Sequence, residues 1–179
     1  MSDGEWLDYT ITYLEMTARP TWPQPSAPEV KGLALIRAED PPPRWFLHLY
    51  QSVGRDYEWT DWLAKSEEEV VDFVSHPAVS IHTLMLTGWS AGFFMLDHRT
   101  PGVCDLAYFG LAPEAVGRGL GGWLLKTAIL TGWAEPGVEK MTVNTCTLDH
   151  PNALPLYQKM GFAPVNRETA RRRPSVRSL

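Results

Sequence analysis

The chain has 179 residues, 44% of them hydrophobic, with eight tryptophans, which fits one folded domain with a packed core and excludes global disorder. Of its 16 basic and 21 acidic residues, five arginines and one glutamate fall in 167–179, leaving 11 basic and 20 acidic in 1–166, a balance of −9 that argues against nucleic acid and suits a cationic partner. No apolar run approaches the ~20 residues of a membrane span, and the start MSDGEWLDY lacks a basic-then-apolar leader, so a cytoplasmic chain with no membrane partner is the expectation.

Asp8 to Met16 alternates and is rich in Tyr, Thr and Ile, the pattern of a strand. Pro20 to Pro28, with four prolines, reads as an extended connector. Leu33 to Arg37 is a short strand ended by the turn-forming EDPPP. Trp45 to Val53 carries Phe46, Leu49, Tyr50 and Val53 at helical spacing. Ser66 followed by Glu69 makes a capping box ahead of Val70, Phe73 and Val74, so a second helix starts there. Val79 to Leu86 and Ala91 to Asp97 flank Thr87-Gly88-Trp89-Ser90, a hairpin. Val103 to Leu111 is the next strand, and a helix opened by glycines runs to about Ala134. Lys140 to Leu148 is a strand, Asn152 to Met160 a helix, and Phe162 to Arg167 a last edge strand. Only the crossover from Leu111 through the helix to Met141 needs a parallel pair. The fold class is therefore α/β (α+β), with a mixed, mostly antiparallel sheet of about seven strands flanked by about four helices.

Cys104 and Cys146 have no disulfide framework or metal-ligand spacing, and the five histidines are scattered, so no metal is expected. Cys146, Asp149 and His150 lie close in sequence, but no nucleophile elbow surrounds them, which argues against a thiol hydrolase.

The most informative stretch is Leu111 to Leu125, LAPEAVGRGLGGWLL. A helix start presents unpaired N–H groups and a partial positive charge, and Gly117, Gly119, Gly121 and Gly122 clear side chains from that backbone. This is an anion site, of the kind that takes a pyrophosphate. The glycines formally satisfy G-x-G-x-x-G, yet a dinucleotide fold needs them directly at a strand end within repeated βα units. Here Pro113 to Val116 intervene and a hairpin precedes. A Walker loop is excluded because no Gly-Lys-Ser/Thr occurs.

At these residues the chain resembles the GNAT family of N-acetyltransferases. The family's signature Gln/Arg-x-x-Gly-x-Gly/Ala falls on Val116-Gly-Arg-Gly119-Leu-Gly121, and a second on Ala153-Leu-Pro-Leu-Tyr157 with Gly161-Phe162. The run His150-Pro-Asn-Ala-Leu-Pro-Leu-Tyr157 is closer to a bacterial subgroup sharing HPxALPxY. The resemblance covers about residues 33–168, leaving 1–32 as an extra strand and connector and 169–179 as a disordered basic tail. It implies parallel strands that splay at a cofactor cleft, acetyl-CoA as acyl donor, and a small cationic amine as acceptor. Dimers are common in this fold, though no residue here specifies one. The implied alternatives are a protein N-terminus or lysine as acceptor, or a CoA-binding regulatory module without turnover.

Carried onto this chain, the resemblance makes Val116, Gly117, Arg118, Gly119, Leu120, Gly121 and Gly122 the pyrophosphate loop. Val116 stands where the family has Gln or Arg, so contact there comes from its backbone N–H, and Arg118 either supplies the charge or faces solvent. Phe109, Gly110 and Leu111 match a bulged strand whose free backbone groups bond the thioester and pantetheine arm, and Gly110 suits a bulge. His150 replaces an expected asparagine; Asn152 takes over its hydrogen bonding or caps the helix. Tyr157 matches the acid that protonates the leaving thiolate, the alternative being a core tyrosine. Asp105 is the candidate base, acting directly or through water, or else a salt-bridged carboxylate. Tyr57, Glu58, Trp59 and Asp61, between the first two helices, make either an aromatic and acidic grip on an ammonium group or an aromatic plug with charges facing water.

Overall fold

Alternation decides the first element. The computed structural model describes residues 6–175, and in it Leu7–Met16 (β1) buries Thr12, Leu14 and Met16 on one face. Leu33–Ala38 (β2) follows the proline connector. Pro43–Gly54 (α1) starts on a proline, whose missing N–H is no loss in a first turn, and buries Phe46, Leu49, Tyr50 and Val53. Two short 3-10 turns, Arg55–Tyr57 and Asp61–Ala64, lead to Glu67–Val74 (α2). The expected capping box is present: Ser66 Oγ accepts from Glu69 N at 3.2 Å, and the Glu69 carboxylate accepts from Ser66 N at 2.9 Å.

Val79–Leu86 (β3) and Trp89–Asp97 (β4) form the expected hairpin, but the turn is only Thr87-Gly88. Both carry positive φ, 46° and 94°, as a two-residue turn matched to strand twist requires. Trp89 and Ser90, expected in the turn, are strand. Val103–Leu111 (β5) is followed by Leu120–Ala134 (α3), Lys140–Cys146 (β6), Ala153–Lys159 (α4) and Ala163–Arg172 (β7). The strand expected to reach Leu148 stops at Cys146 because Asp149 turns the chain: its carboxylate accepts from Cys146 N at 2.9 Å and Thr145 Oγ1 at 2.8 Å.

The seven strands form one sheet in the order β2-β3-β4-β5-β6-β1-β7. The first two helices pack on one face against Ile81, Phe93 and Met95, and α3 packs on the other against Phe94, Leu96, Leu106 and Met141. Each fully buried Phe or Leu contributes about 1.5–3 kcal/mol of hydrophobic stabilisation. The strand at the N-terminus is no appendage. It lies inside the sheet, pairing β6 on one side and β7 on the other.

That placement corrects the reading of the C-terminus. The last strand does not stop at Arg167, and 169–172 are not a loose tail, because β1 offers partners as far as Leu7↔Arg172. Arg171 and Arg173 also lie over the Trp6 ring, 5.6 and 5.4 Å from its centroid. Residues 176–179 of the expected tail lie outside the described residues.

All neighbouring strands are antiparallel except β5 and β6, which run parallel only over Val103↔Lys140, Cys104↔Met141 and Asp105↔Thr142. Beyond that point β5 stays on β4 up to Leu111, while β6 stays on β1 up to Cys146. The two strands part, and the gap between them is the cleft.

Candidate active site at the parted strands

The chain leaves β5 at Leu111, makes a 3-10 turn over Pro113–Ala115 and enters α3 through glycine. Gly117 and Gly119 have φ of +80° and +74°, a left-handed backbone that other residues adopt only under strain. A Cβ at 117, 119 or 122 would meet nothing within 4 Å, so open space lies over the free N–H groups of the first helical turn. Val116, Gly117, Gly119, Leu120, Gly121 and Gly122 all line the cleft. Arg118 does not, and it is exposed. No lysine or arginine is among the described lining residues, so complementarity to an anion comes from the backbone and the helix start. A pyrophosphate fits this cradle.

The cleft encloses about 330 Å³, and its body is apolar, with Leu106, Phe109, Leu111 and Leu156 along it. The strand irregularity expected at Gly110 lies elsewhere. Met95 pairs with Tyr108 but Leu96 with Leu106, so the extra residue is Ala107, while Gly110 pairs regularly with Phe93. Gly110 is glycine for a different reason: a Cβ there would overlap Val53 Cγ1 of α1, which seals the cleft from the other face. Phe109, Gly110 and Leu111 still line the cleft.

Tyr157 projects from α4 into the cleft, 5% exposed, with its ring edge against Phe109 at 6.2 Å. Burial, then the charges of Asp149 and Asp105, push its hydroxyl above the ordinary tyrosine range. It is held protonated, a donor rather than a base. Asp105 stands at the fork, where Thr142 Oγ1 donates to its carboxylate at 2.6 Å, and burial raises its pKa. It is not on the cleft lining. His150 and Asn152 both line it. The expected side-chain cap by Asn152 is not made. His150 already serves the helix start, its carbonyl accepting from Ala153 N at 2.8 Å and its Nδ1 from Asn152 N at 3.2 Å.

At the far end, Tyr57 and Trp59 line the cleft as expected, but Glu58 and Asp61 do not. Both are taken up by the C-terminal strand. Arg172 donates to the Glu58 carbonyl, to Thr60 Oγ1 at 3.0 Å and to Asp61 Oδ1 at 2.7 Å, and Ser175 N donates to Glu58 Oε2 at 2.8 Å. Among the lining residues not anticipated for the site, three are polar: Tyr108, Asn144 and Asp149. Tyr108 accepts from Trp62 Nε1 at 2.7 Å, and burial pushes its pKa up to about 12. Asp149 accepts from Trp59 Nε1 at 3.0 Å. In the sequence Asp149 stood out only beside Cys146 and His150 and as an aspartate after a strand, which reads equally as a turn.

A model of the acetyltransferase (GNAT) family matches residues 30–162. The chain belongs to the GNAT acetyltransferase family. No curated protein matches the sequence. Among solved structures, this GNAT chain is similar to a GCN5-related N-acetyltransferase from Sphaerobacter thermophilus, with TM-score 0.61, 17% identity, 94% of this chain and 53% of that one. It is also similar to a tandem GNAT protein from the clavulanic acid biosynthesis pathway, with TM-score 0.64, 18% identity, 98% of this chain and 56% of that one. A third is an aminoglycoside acetyltransferase from an uncultured soil metagenomic sample, with TM-score 0.57, 16% identity, 72% of this chain and 86% of that one. At such identities the likeness is one of fold. The chain spans only 53% and 56% of the length of the first two of these structural relatives. Among the described residues, no helix of this GNAT chain is long and apolar enough to cross a membrane, and no group of three or more His, Cys, Asp or Glu side chains could hold a metal.

Proposed function

We propose that this GNAT chain transfers an acetyl group from acetyl-CoA to a primary amine, and that the amine is a small cationic molecule. The observation that carries the reading is the glycine-opened start of α3, facing an apolar cleft made where β5 and β6 part, with a buried, protonated Tyr157 beside it.

Acetyl-CoA, when bound, supplies an acetyl thioester. The N–H groups of Gly117 to Gly122 bind the pyrophosphate; the expected contact from the Val116 N–H is not available, because it already donates to the Pro113 carbonyl at 3.3 Å, and no side-chain cation of the lining is needed. Leu106, Phe109 and Leu111 exclude water from the arm that carries the thioester. Ala107, the extra residue in β5, frees backbone polar groups of that strand from the ladder, where they orient the carbonyl. Tyr157 donates its proton to the leaving thiolate, whose thiol pKa is near ~8.5. Asp105, off the lining, removes the amine proton only through a bridging water.

The test is calorimetric titration with acetyl-CoA and, separately, NAD. Acetyl-CoA binds and NAD does not. Gly119→Val abolishes acetyl-CoA binding while the circular dichroism spectrum is unchanged. Binding of NAD, or retained acetyl-CoA affinity in the variant, overturns the assignment of the loop.

A further inference from the structure

The far end of the cleft carries information about the acceptor that the glycine loop does not. Its wall is built from Tyr57, Trp59 and Tyr108, and Asp149 is the one carboxylate among the described lining residues. Glu58 and Asp61, acidic neighbours in sequence, are bound to Ser175 and Arg172 and lie off the lining. A carboxylate has about four lone-pair positions. Asp149 uses two on Oδ2, toward Thr145 Oγ1 and Cys146 N, and one on Oδ1, toward Trp59 Nε1. One position on Oδ1 is left over, beside the Trp59 ring.

We propose that the acceptor is a singly charged arylalkylamine, docked with its ammonium on Asp149 and its apolar or aromatic body against Tyr57, Trp59 and Tyr108, and that this nitrogen attacks only after giving one proton, through the bridging water, to Asp105. This rests on the acetyl-transfer reading above and narrows its substrate class. One free acceptor position takes one hydrogen bond from an ammonium, and the single carboxylate balances one positive charge. A polycation would bring further charges into an aromatic compartment with no second carboxylate, and an unpaired charge is costly to bury. Aromatic faces instead reward a flat apolar body and add a cation–π contribution close to the ammonium. The three bonds that fix Asp149 hold the carboxylate at the junction of β6 and the aromatic wall, so it is positioned before the amine arrives.

The experiment measures thiol release at saturating acetyl-CoA with four amines: 2-phenylethylamine, tryptamine, spermidine and kanamycin. The expected kcat/KM is at least about tenfold higher for the first two, the discrimination that one charge-assisted hydrogen bond and its unpaired counterpart provide. Asp149→Asn raises KM for 2-phenylethylamine by about tenfold or more and leaves the calorimetric Kd for acetyl-CoA within about twofold. Should that variant fail to fold, Tyr57→Ala serves: kcat/KM falls for the arylalkylamines and stays level for spermidine. Preference for spermidine or kanamycin overturns the proposal. So does the absence of turnover with both arylalkylamines in a protein that binds acetyl-CoA. Absence of acetyl-CoA binding overturns the acetyl-transfer reading itself, and this inference with it.

Discussion

Tyr157 combines two properties that the sequence could not separate: it is a core residue and it lines the cleft. Burial raises its pKa above the ordinary 10.0, so the acid form persists below that raised value and is lost only as pH climbs through it. Turnover should therefore show no decline assignable to this hydroxyl between pH 7 and 9. Tyr157→Phe should lower kcat by about 10²-fold, the lower end of general acid catalysis, with the acetyl-CoA Kd unchanged; equal kcat in the two proteins would remove it as the acid. Gly110 teaches a different lesson. Its glycine reads as a bulge in one dimension, but the reason is Val53 of α1, 57 positions away by the residue numbers, pressed against it. Gly110→Ala should destabilise by about 1–3 kcal/mol through overpacking, measured as a lower midpoint of urea unfolding.

Between elements, the telling contact is the one from β7 to the loop over residues 55–64. Arg172 and Ser175 hold the Glu58 carbonyl and carboxylate, the Thr60 hydroxyl and the Asp61 carboxylate in place, while the Asp149 carboxylate holds Trp59 from the other side. The Tyr57 and Trp59 wall of the cleft is thus fixed from two sides, by the end of β7 and by the turn after β6. Arg172→Gln should cost only about 1 kcal/mol overall, since the Asp61 side chain is 73% exposed and its ion pair is weak. Its larger effect is local: trypsin should cut faster at Arg55 and Lys65, and acetyl-CoA affinity should not change. Uniform cleavage rates in the two proteins would show that the strand does not restrain the loop. None of this was visible in the sequence, where RETARRRPS has the composition of a solvated arm and no strand periodicity that its exposed edge position would impose. The α2 start was visible, because a capping box is contained within four residues and needs no tertiary partner.

At the scale of the whole molecule, the sheet's far face sets an acid limit on stability. His82 on β3 stacks on Phe94 at 4.5 Å, and its Nδ1 is buried without a partner. Burial, with Arg37 opposite on β2, lowers its pKa from 6.5 to about 4. The unfolded chain binds this proton first, so stability falls as pH drops from 6.5 toward 4. Between pH 7 and 5 the loss should be about 1–2 kcal/mol after allowance for the water that reaches a partly exposed ring. The raised Asp105 works in the opposite sense. Comparison with His82→Gln by urea unfolding isolates the histidine: the variant should lose the greater part of this pH dependence, and an unaltered dependence would acquit His82. The sequence by itself determined the element types, the mixed sheet and the glycine loop, because each rests on local periodicity, local caps or backbone conformations that a short run of residues imposes; the family showed through the resemblance of two short motifs. It also brought out Tyr57, Trp59 and Tyr157, all three of which line the cleft. Tertiary structure alone decided that β1 enters the sheet between β6 and β7, that the extra residue of β5 is Ala107, and that Asp149 rather than Glu58 or Asp61 faces the cleft. Strand order, register and the partner of a carboxylate depend on residues more than a hundred positions apart in the chain, as Arg172 and Asp61 are, at a separation of 111, and no local pattern records which of them meet.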